Sequence, residues 1–111
     1  MKVLYVAGPY RAEGWNGVFE NVIKAREYAR RFWLHGWAVI CPHANSIFMD
    51  GPDIEPMTFI DGDLEIIRRC DAIFMLPRWE QSEGAKLEHA LAVKLGIPIY
   101  VHLEQVPDAN E

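Results

Sequence analysis

Cysteine, blocks of like charge and long apolar runs are all scarce in this 111-residue sequence. The two cysteines, Cys41 and Cys70, each lie in an apolar segment and have neither CxxC nor Cys/His spacing. A disulfide framework or a zinc site needs more thiols or a closer spacing of ligands. The sequence therefore predicts two reduced core thiols in a cytoplasmic protein, with no metal site.

The charge balance and the missing motifs exclude further classes of protein. The net charge is −5 and no block of Lys or Arg occurs, which argues against a nucleic acid polymer as partner but allows a small anion. The first apolar run stops at Gly8-Pro9, too early for a signal peptide or a membrane span. Because of this short run, we expect no contact with a membrane. A P-loop and a GxGxxG pattern are also missing, and we expect no cofactor.

What is present is an alternation of apolar strands and amphipathic helices. Strands are predicted at residues 2–7, 37–41, 71–76 and 97–103, and helices at about 18–35, 58–70 and 82–96. Residues 43–57 show no clear period and are predicted to form a loop or lid. Strands that are apolar throughout and separated by helices indicate a parallel sheet covered on both faces. We predict one α/β domain over residues 1–111, an open flavodoxin-like or Rossmann-like sheet of four strands in the order 2-1-3-4.

Two carboxylates lie where these helices should carry aliphatic side chains. Asp63 is in line with the apolar stripe of helix 58–70, and Glu88 is in line with that of helix 82–96. Thr58 is predicted to cap its helix, so Asp63 is not explained as a first-turn acid that favours the helix dipole. A buried carboxylate without a partner costs several kcal/mol. The pattern therefore predicts a polar cleft where the two helices meet.

The turns after the strands carry the other candidate residues, because ligands of such folds bind at the carboxyl ends of the strands. Each candidate also has a purely structural interpretation. Ser82 is a helix cap or a phosphate ligand, Arg11 a surface charge or an anion ligand, and Trp79 a lid contact or a cover for a planar base. His43 is expected to be a hydrogen-bonded loop residue rather than a catalyst. The candidates at these turns are Gly8, Tyr10, Arg11, His43, Trp79, Ser82 and Gly84.

Two carboxylates in a partly apolar cleft suit cleavage of a glycosidic bond. One can stabilise an oxocarbenium-like transition state while the other manages the proton, and this chemistry needs neither metal nor cofactor. A carboxylate stabilises developing positive charge more strongly in such a cleft than in water. We therefore expect Glu88 and Asp63 to be the catalytic residues.

The order and spacing of these residues are similar to those of a known family. The sequence resembles the nucleoside 2-deoxyribosyltransferase-like superfamily, which includes 2-deoxynucleoside 5-phosphate N-hydrolases and small uncharacterised members. The resemblance covers nearly the whole chain. The matching elements are Tyr5-Val6-Ala7-Gly8-Pro9-Tyr10, Asp63 ahead of Cys70-Asp71-Ala72-Ile73, Ser82-Glu83-Gly84-Ala85-Lys86-Leu87-Glu88, Ala92 and Gly96-Ile97-Pro98.

The resemblance implies a role for each matching residue. Glu88 matches the glutamate that acts at the anomeric carbon, and Asp63 matches the aspartate that handles the proton of the leaving base. Tyr5 and Gly8 match residues that border the bound sugar and base. Serine at position 82 is typical of the nucleotide hydrolases, whereas the transferases have an aspartate there that binds sugar hydroxyls.

The leading hypothesis is hydrolysis of a nucleoside 5-monophosphate to free base and sugar phosphate. Ser82 and Arg11 would then surround the phosphate, and Trp79 or Tyr10 would lie against the base. Pro9 departs from the family, since the characterised hydrolases have a phosphate-binding serine there. The alternatives are a non-catalytic nucleotide-binding or regulatory module and base exchange between nucleosides. A homodimer is expected.

Overall fold

A parallel four-stranded sheet forms the centre of the computed structural model, which describes residues 1–47 and 49–110. The strands are β1 (Val3–Ala7), β2 (Ala38–Ile40), β3 (Ala72–Met75) and β4 (Ile99–Tyr100). Their order is β2-β1-β3-β4, and every pair is parallel. The predicted fold class and strand order are therefore confirmed. The predicted fourth strand is shortened, because the chain turns into a 3-10 helix at Leu103–Gln105.

Helices cover both faces of the sheet. The helix α1 (Gly14–Leu34) lies on one face, and α3 (Pro56–Ile67) and α4 (Glu83–Leu95) lie on the other. A short helix, α2 (Pro42–Asn45), follows β2. The side chains of the central strands β1 and β3 point alternately to the two faces of the sheet, as the two-residue period of a strand requires. They contribute to one hydrophobic core cluster on each face. The α1 side takes Leu4, Val6, Phe74 and Leu76, and the opposite side takes Tyr5, Ala7, Ile73 and Met75.

Two helices begin earlier than the sequence pattern predicts. The start of α1 is at Gly14 rather than near residue 18. Glycines at positions 14 and 17 disfavour a helix locally, but a Cβ at Gly17 would lie 2.6 Å from the Cβ of Ala12, so only glycine fits that first turn. The predicted cap at Thr58 is wrong, because α3 starts at Pro56 with Glu55 before it. Proline suits the first helical position, where its fixed φ is favourable and no N–H is needed.

Much of the predicted 43–57 loop is irregular, but it begins inside α2 and contains a small antiparallel bridge between Gly51 and Ile54. Position 48 of that predicted loop lies outside the described residues. The two cysteines are free and pack against different core clusters. Within the described part of the chain, no helix combines the length and the apolar character needed to cross a bilayer.

Candidate active site

A cavity of about 600 Å³ opens beyond the carboxyl ends of β1 and β3, where parallel sheets of this kind bind ligands. Its wall is built from the turn after β1, the start of α1, α2, α3 and the start of α4. Eight of the ten residues predicted from the sequence line it. They are Gly8, Tyr10, Arg11, His43, Asp63, Ser82, Gly84 and Glu88.

Glu88 lies at the bottom of this cavity, in the second turn of α4, and only 7% of its surface is exposed. The hydroxyl of Tyr5, a fully buried residue of β1, donates a hydrogen bond to Oε2 of Glu88. Tyr5 is not among the lining residues, so it supports Glu88 from within the core instead of bordering the cavity as predicted. The physical reason is the strand period, which turns Tyr5 inward beneath α4.

Asp63 is half-buried on α3 and lines the same cavity. The two helices α3 and α4 pack against each other, which brings both carboxylates to one wall. Asp63 lies in the third turn of α3, too far from the start of the helix to be stabilised by the helix dipole. Among the described residues, neither Asp63 nor Glu88 forms an ion pair with Lys, Arg or His.

Burial shifts the acid–base properties of both carboxyl groups. It raises the pKa of Asp63 to about 6. Burial also raises the pKa of Glu88 to about 8, with a smaller contribution from the negative charge of Asp63, while the hydrogen bond from Tyr5 acts in the opposite direction. The pKa of the Tyr5 hydroxyl is raised by burial and by the neighbouring carboxylates. Tyr5 therefore stays a hydrogen-bond donor, and the two carboxyls together exchange protons near neutral pH.

The start of α4 forms another part of the wall. Ser82 caps the helix, as one of its two sequence interpretations predicts, and its hydroxyl oxygen accepts a hydrogen bond of 3.2 Å from the backbone N–H of Ala85. The hydroxyl proton and the first amides of the helix keep no acceptor within the helix itself. A 13-residue helix also has a positive dipole end at this position. This part of the cavity can receive an anion.

The turn after β1 is held against α2 by His43. Its Nε2 lies 2.7 Å from the carbonyl oxygen of Pro9, and since a carbonyl can only accept, Nε2 carries the proton. Burial lowers the pKa of His43, so its ring is neutral at pH 7. Tyr10 contacts the His43 ring edge-on, with centroids 5.8 Å apart. Gly8 has a packing role, because a Cβ there would lie 2.5 Å from the Cβ of Leu76.

The predicted contact of Trp79 with a bound base is not supported by its position. Its half-buried ring stacks on His89 of α4, with centroids 4.3 Å apart and planes 20° from parallel, and it does not line the cavity. The loop 77–82 turns through a 3-10 helix at Trp79–Gln81, and the indole packs against the core cluster beneath α4 instead of entering the cavity. Tyr10 is therefore the aromatic ring of the original pair that faces the cavity.

Sequence reasoning missed several polar residues of the wall. Asn21 of α1 lines the cavity and donates a hydrogen bond of 3.1 Å to the Tyr10 carbonyl. Asp50 and Arg78 also line it. Asp50 lies in a segment without periodicity, so no sequence signal located it. Arg78 lies four residues before Ser82 in the sequence, and this proximity to a predicted site residue is the signal that could have identified it.

Comparison with solved structures supports the fold. The 2-deoxyribosyltransferase from the psychrotolerant bacterium Bacillus psychrosaccharolyticus is 24% identical, with a TM-score of 0.59 over 87% of this chain and 69% of that one. A conserved protein from Enterococcus faecalis V583 is 20% identical, with a TM-score of 0.58 over 99% of this chain and 70% of that one. Both are similar to this chain in fold.

A comparison with curated protein sequences gave no significant match. The sequence does match a family model over residues 2–101, nearly its whole length. That model describes a domain of unknown function, DUF4406, and this chain belongs to the DUF4406 family.

Proposed function

We propose that this protein hydrolyses the N-glycosidic bond of a nucleoside 5-monophosphate, releasing the free base and a sugar phosphate. The observation that carries the proposal is the pair of carboxyls, Asp63 and Glu88, on the wall of one cavity without a basic partner among the described residues. Uncompensated acids in a cleft are costly for stability, and active sites are where such costs are retained.

Glu88 stabilises the positive charge that develops on the sugar as the bond to the base breaks. Its low exposure keeps water away, so the electrostatic attraction is stronger than in solution. The hydrogen bond from Tyr5 stabilises the ionised form of Glu88 and fixes the direction of its carboxylate. The reactive form is the singly protonated pair with the charge on Glu88 and the proton on Asp63. Because the pKa of Glu88 lies above that of Asp63, this is the less populated of the two arrangements of that proton, and the hydrogen bond from Tyr5 favours it.

Asp63 supplies the proton for the leaving base. The electron pair of the C1–N bond goes to the base nitrogen, which takes the Asp63 proton. A water molecule then adds its oxygen to C1 and returns a proton to the Asp63 carboxylate, which completes the cycle. A pKa of about 6 suits a group that gives and recovers a proton near neutral pH.

The phosphate would bind at the start of α4, around Ser82 and Gly84, with Arg11 as a further ligand. All three residues line the cavity. An aspartate at position 82 would repel a phosphate, whereas a serine at a helix start can donate its hydroxyl proton to it. Tyr10 lies on the same wall and is the aromatic surface proposed to contact the base.

Two other functions are distinguished by the same assay. The fold similarity to a 2-deoxyribosyltransferase favours base exchange as the second candidate. The third candidate is a binding module, in which the nucleotide stays intact. The assay incubates the protein with a panel of nucleoside monophosphates and nucleosides, with and without a second free base, and resolves the products by chromatography.

Each outcome assigns one function. Free base and sugar phosphate from a monophosphate support hydrolysis, and a new nucleoside that appears only with the second base indicates exchange. A nucleotide that raises the melting temperature and is recovered intact indicates the binding module. No release of base from any compound would overturn the enzymatic proposal.

The expected partner and location belong to the same proposal. We propose a homodimer that acts in the cytoplasm on a small nucleotide and does not bind nucleic acid polymers. Light scattering on the purified protein checks the assembly, and a mass of a single chain at micromolar concentration would refute the dimer. Fractionation of the source cells checks the location.

A further inference from the structure

Arg78 has an unusual backbone conformation at the edge of the cavity. Its φ is 66° and its ψ is 19°, and it is the one non-glycine residue with positive φ in the described part of the chain. The left-handed region is unfavourable for any residue with a Cβ, and glycine would adopt it freely. Arginine at this position therefore lowers the stability of the fold relative to glycine. The local structure does not explain why an arginine is present there.

The position of Arg78 suggests what that explanation is. Arg78 lies three residues beyond the end of β3, next to Pro77. A 3-10 turn connects Arg78 to Ser82, and in this turn the Gln81 N–H donates a hydrogen bond of 3.0 Å to the Arg78 carbonyl. Arg78 and Ser82 line the same cavity. The turn therefore places Arg78 on the same cavity as the start of α4.

The side chain of Arg78 is exposed, and it has no protein partner among the residues that the structure describes. Arg78 makes neither a side-chain hydrogen bond nor an ion pair with any described residue. The acid adjacent to the Ser82 cap, Glu83, is paired with Lys86 at 2.8 Å. A planar guanidinium with five N–H groups matches the oxygens of a phosphate in a two-point contact.

We propose that Arg78 binds the phosphate of the substrate and makes the site selective for a sugar 5-phosphate over the unphosphorylated sugar. This inference rests on the proposed function and adds a specificity residue to it. Arg78 pairs with the phosphate oxygens, while Ser82 and the first amides of α4 hold the same group from the protein side. The strained backbone is retained because it directs the guanidinium to this point.

Three substitutions separate the charge of Arg78 from its backbone strain. Arg78→Gln removes the charge and keeps the strain, Arg78→Gly removes both, and Arg78→Lys keeps the charge. Arg69→Gln is the matched control, because Arg69 is an exposed arginine that follows the end of α3 and does not line the cavity. The probes are 2-deoxyribose 5-phosphate and 2-deoxyribose, titrated calorimetrically at low salt, and each variant is also melted without ligand.

The expected result is a loss of at least tenfold in affinity for the sugar phosphate in Arg78→Gln and Arg78→Gly. Arg78→Lys keeps most of the affinity, and Arg69→Gln is unchanged. Arg78→Gly melts several degrees above Arg78→Gln, since glycine relieves the strain. Affinity for 2-deoxyribose is the same in all variants.

The inference fails if Arg78→Gln binds the sugar phosphate as tightly as the unmodified protein, or if the unmodified protein does not bind it. The binding role of Arg78 and the hydrolase activity can fail independently of each other. If the protein cleaves nucleotides and Arg78→Gln keeps its preference for monophosphates over nucleosides, the hydrolase stands and the role of Arg78 is wrong. If no nucleotide is cleaved but the arginine variants lose the sugar phosphate, the binding role stands and the hydrolase is wrong.

Discussion

The hydroxyl of Tyr5 in β1 donates a hydrogen bond to the carboxylate of Glu88 in α4, although 83 positions separate them. Both groups are buried, so the bond is not weakened by competition with water. It stabilises the charged form of Glu88, while burial disfavours that form. This opposition leaves Glu88 able to change its protonation near neutral pH.

Removing the charge of Glu88 should abolish most of the turnover. We expect Glu88→Gln to lower kcat for nucleotide cleavage by about 10²–10³-fold, because the amide cannot stabilise the positive charge on the sugar. The fold is retained, since the amide oxygen can still accept the hydrogen bond from the Tyr5 hydroxyl. Glu104→Gln, at an exposed acid of the 3-10 helix, serves as control and should change nothing. Steady-state kinetics of the two variants decide the matter, and equal rates would remove Glu88 from the mechanism.

The rate should depend on pH in a bell shape. Below about 6 both Asp63 and Glu88 are protonated, so no carboxylate stabilises the sugar, and above about 8 both are ionised, so no acid protonates the base. The two limbs belong to the coupled pair rather than to one residue each. A pH profile of kcat/KM between 4 and 10 measures them. A rate that keeps rising above pH 9 would contradict the requirement for a proton.

Tyr5→Phe should displace the upper limb of that profile. Because the Tyr5 hydroxyl lowers the pKa of Glu88, its removal makes Glu88 harder to ionise, and the maximum moves to higher pH. We also expect kcat at pH 7 to fall by roughly tenfold as one charge-stabilising hydrogen bond is lost. Tyr100→Phe is the control, since Tyr100 packs on the other side of the sheet. An unchanged profile in Tyr5→Phe would show that the bond does not tune Glu88.

Stability should also depend on pH through the same groups. The folded-state pKa values of Asp63 and Glu88 lie above their ordinary values of 3.8 and 4.5, so the folded state binds protons more tightly than the unfolded chain. Their contribution is fully present below about pH 4 and is lost as the pH rises through about 6 and about 8. Glu88→Gln should therefore melt several degrees above the unmodified protein at pH 8 and at nearly the same temperature at pH 4. Equal melting temperatures at pH 8 would contradict the burial cost assigned to Glu88.

The two aromatic candidates for the base contact should behave differently. Tyr10→Ala should raise KM for the nucleotide roughly tenfold, because stacking of an aromatic ring on a base is worth about 1–3 kcal/mol. Trp79→Phe should leave KM unchanged, since Trp79 stacks on His89 outside the cavity and phenylalanine preserves a ring there. Kinetics of both variants test the pair. A large rise in KM for Trp79→Phe, with none for Tyr10→Ala, would reverse the assignment.

Much of the fold follows from signals that are local in the sequence. The sequence predicts the apolar strands β1 and β3 and a helix that ends at residue 96, and it offers a helix cap as one of two interpretations of Ser82. The structure has all three, because hydrophobic burial and helix ends depend on residues close together in the chain. Asp63 and Glu88 were found for the same reason, since a carboxylate in an apolar stripe is visible in the sequence. Their presence on one cavity wall was predicted and is what the structure has.

Contacts between distant segments were beyond the reach of such patterns. The packing of α4 over β1 decides that Tyr5 is the partner of Glu88. Trp79 stacks on His89 instead of lining the cavity. The sequence indicates a left-handed backbone only where a glycine occurs, so it did not indicate that of Arg78. Periodicity assigns a side chain to a face of its own element. Which other side chain meets it there depends on how the elements pack, and that is a property of the folded chain alone.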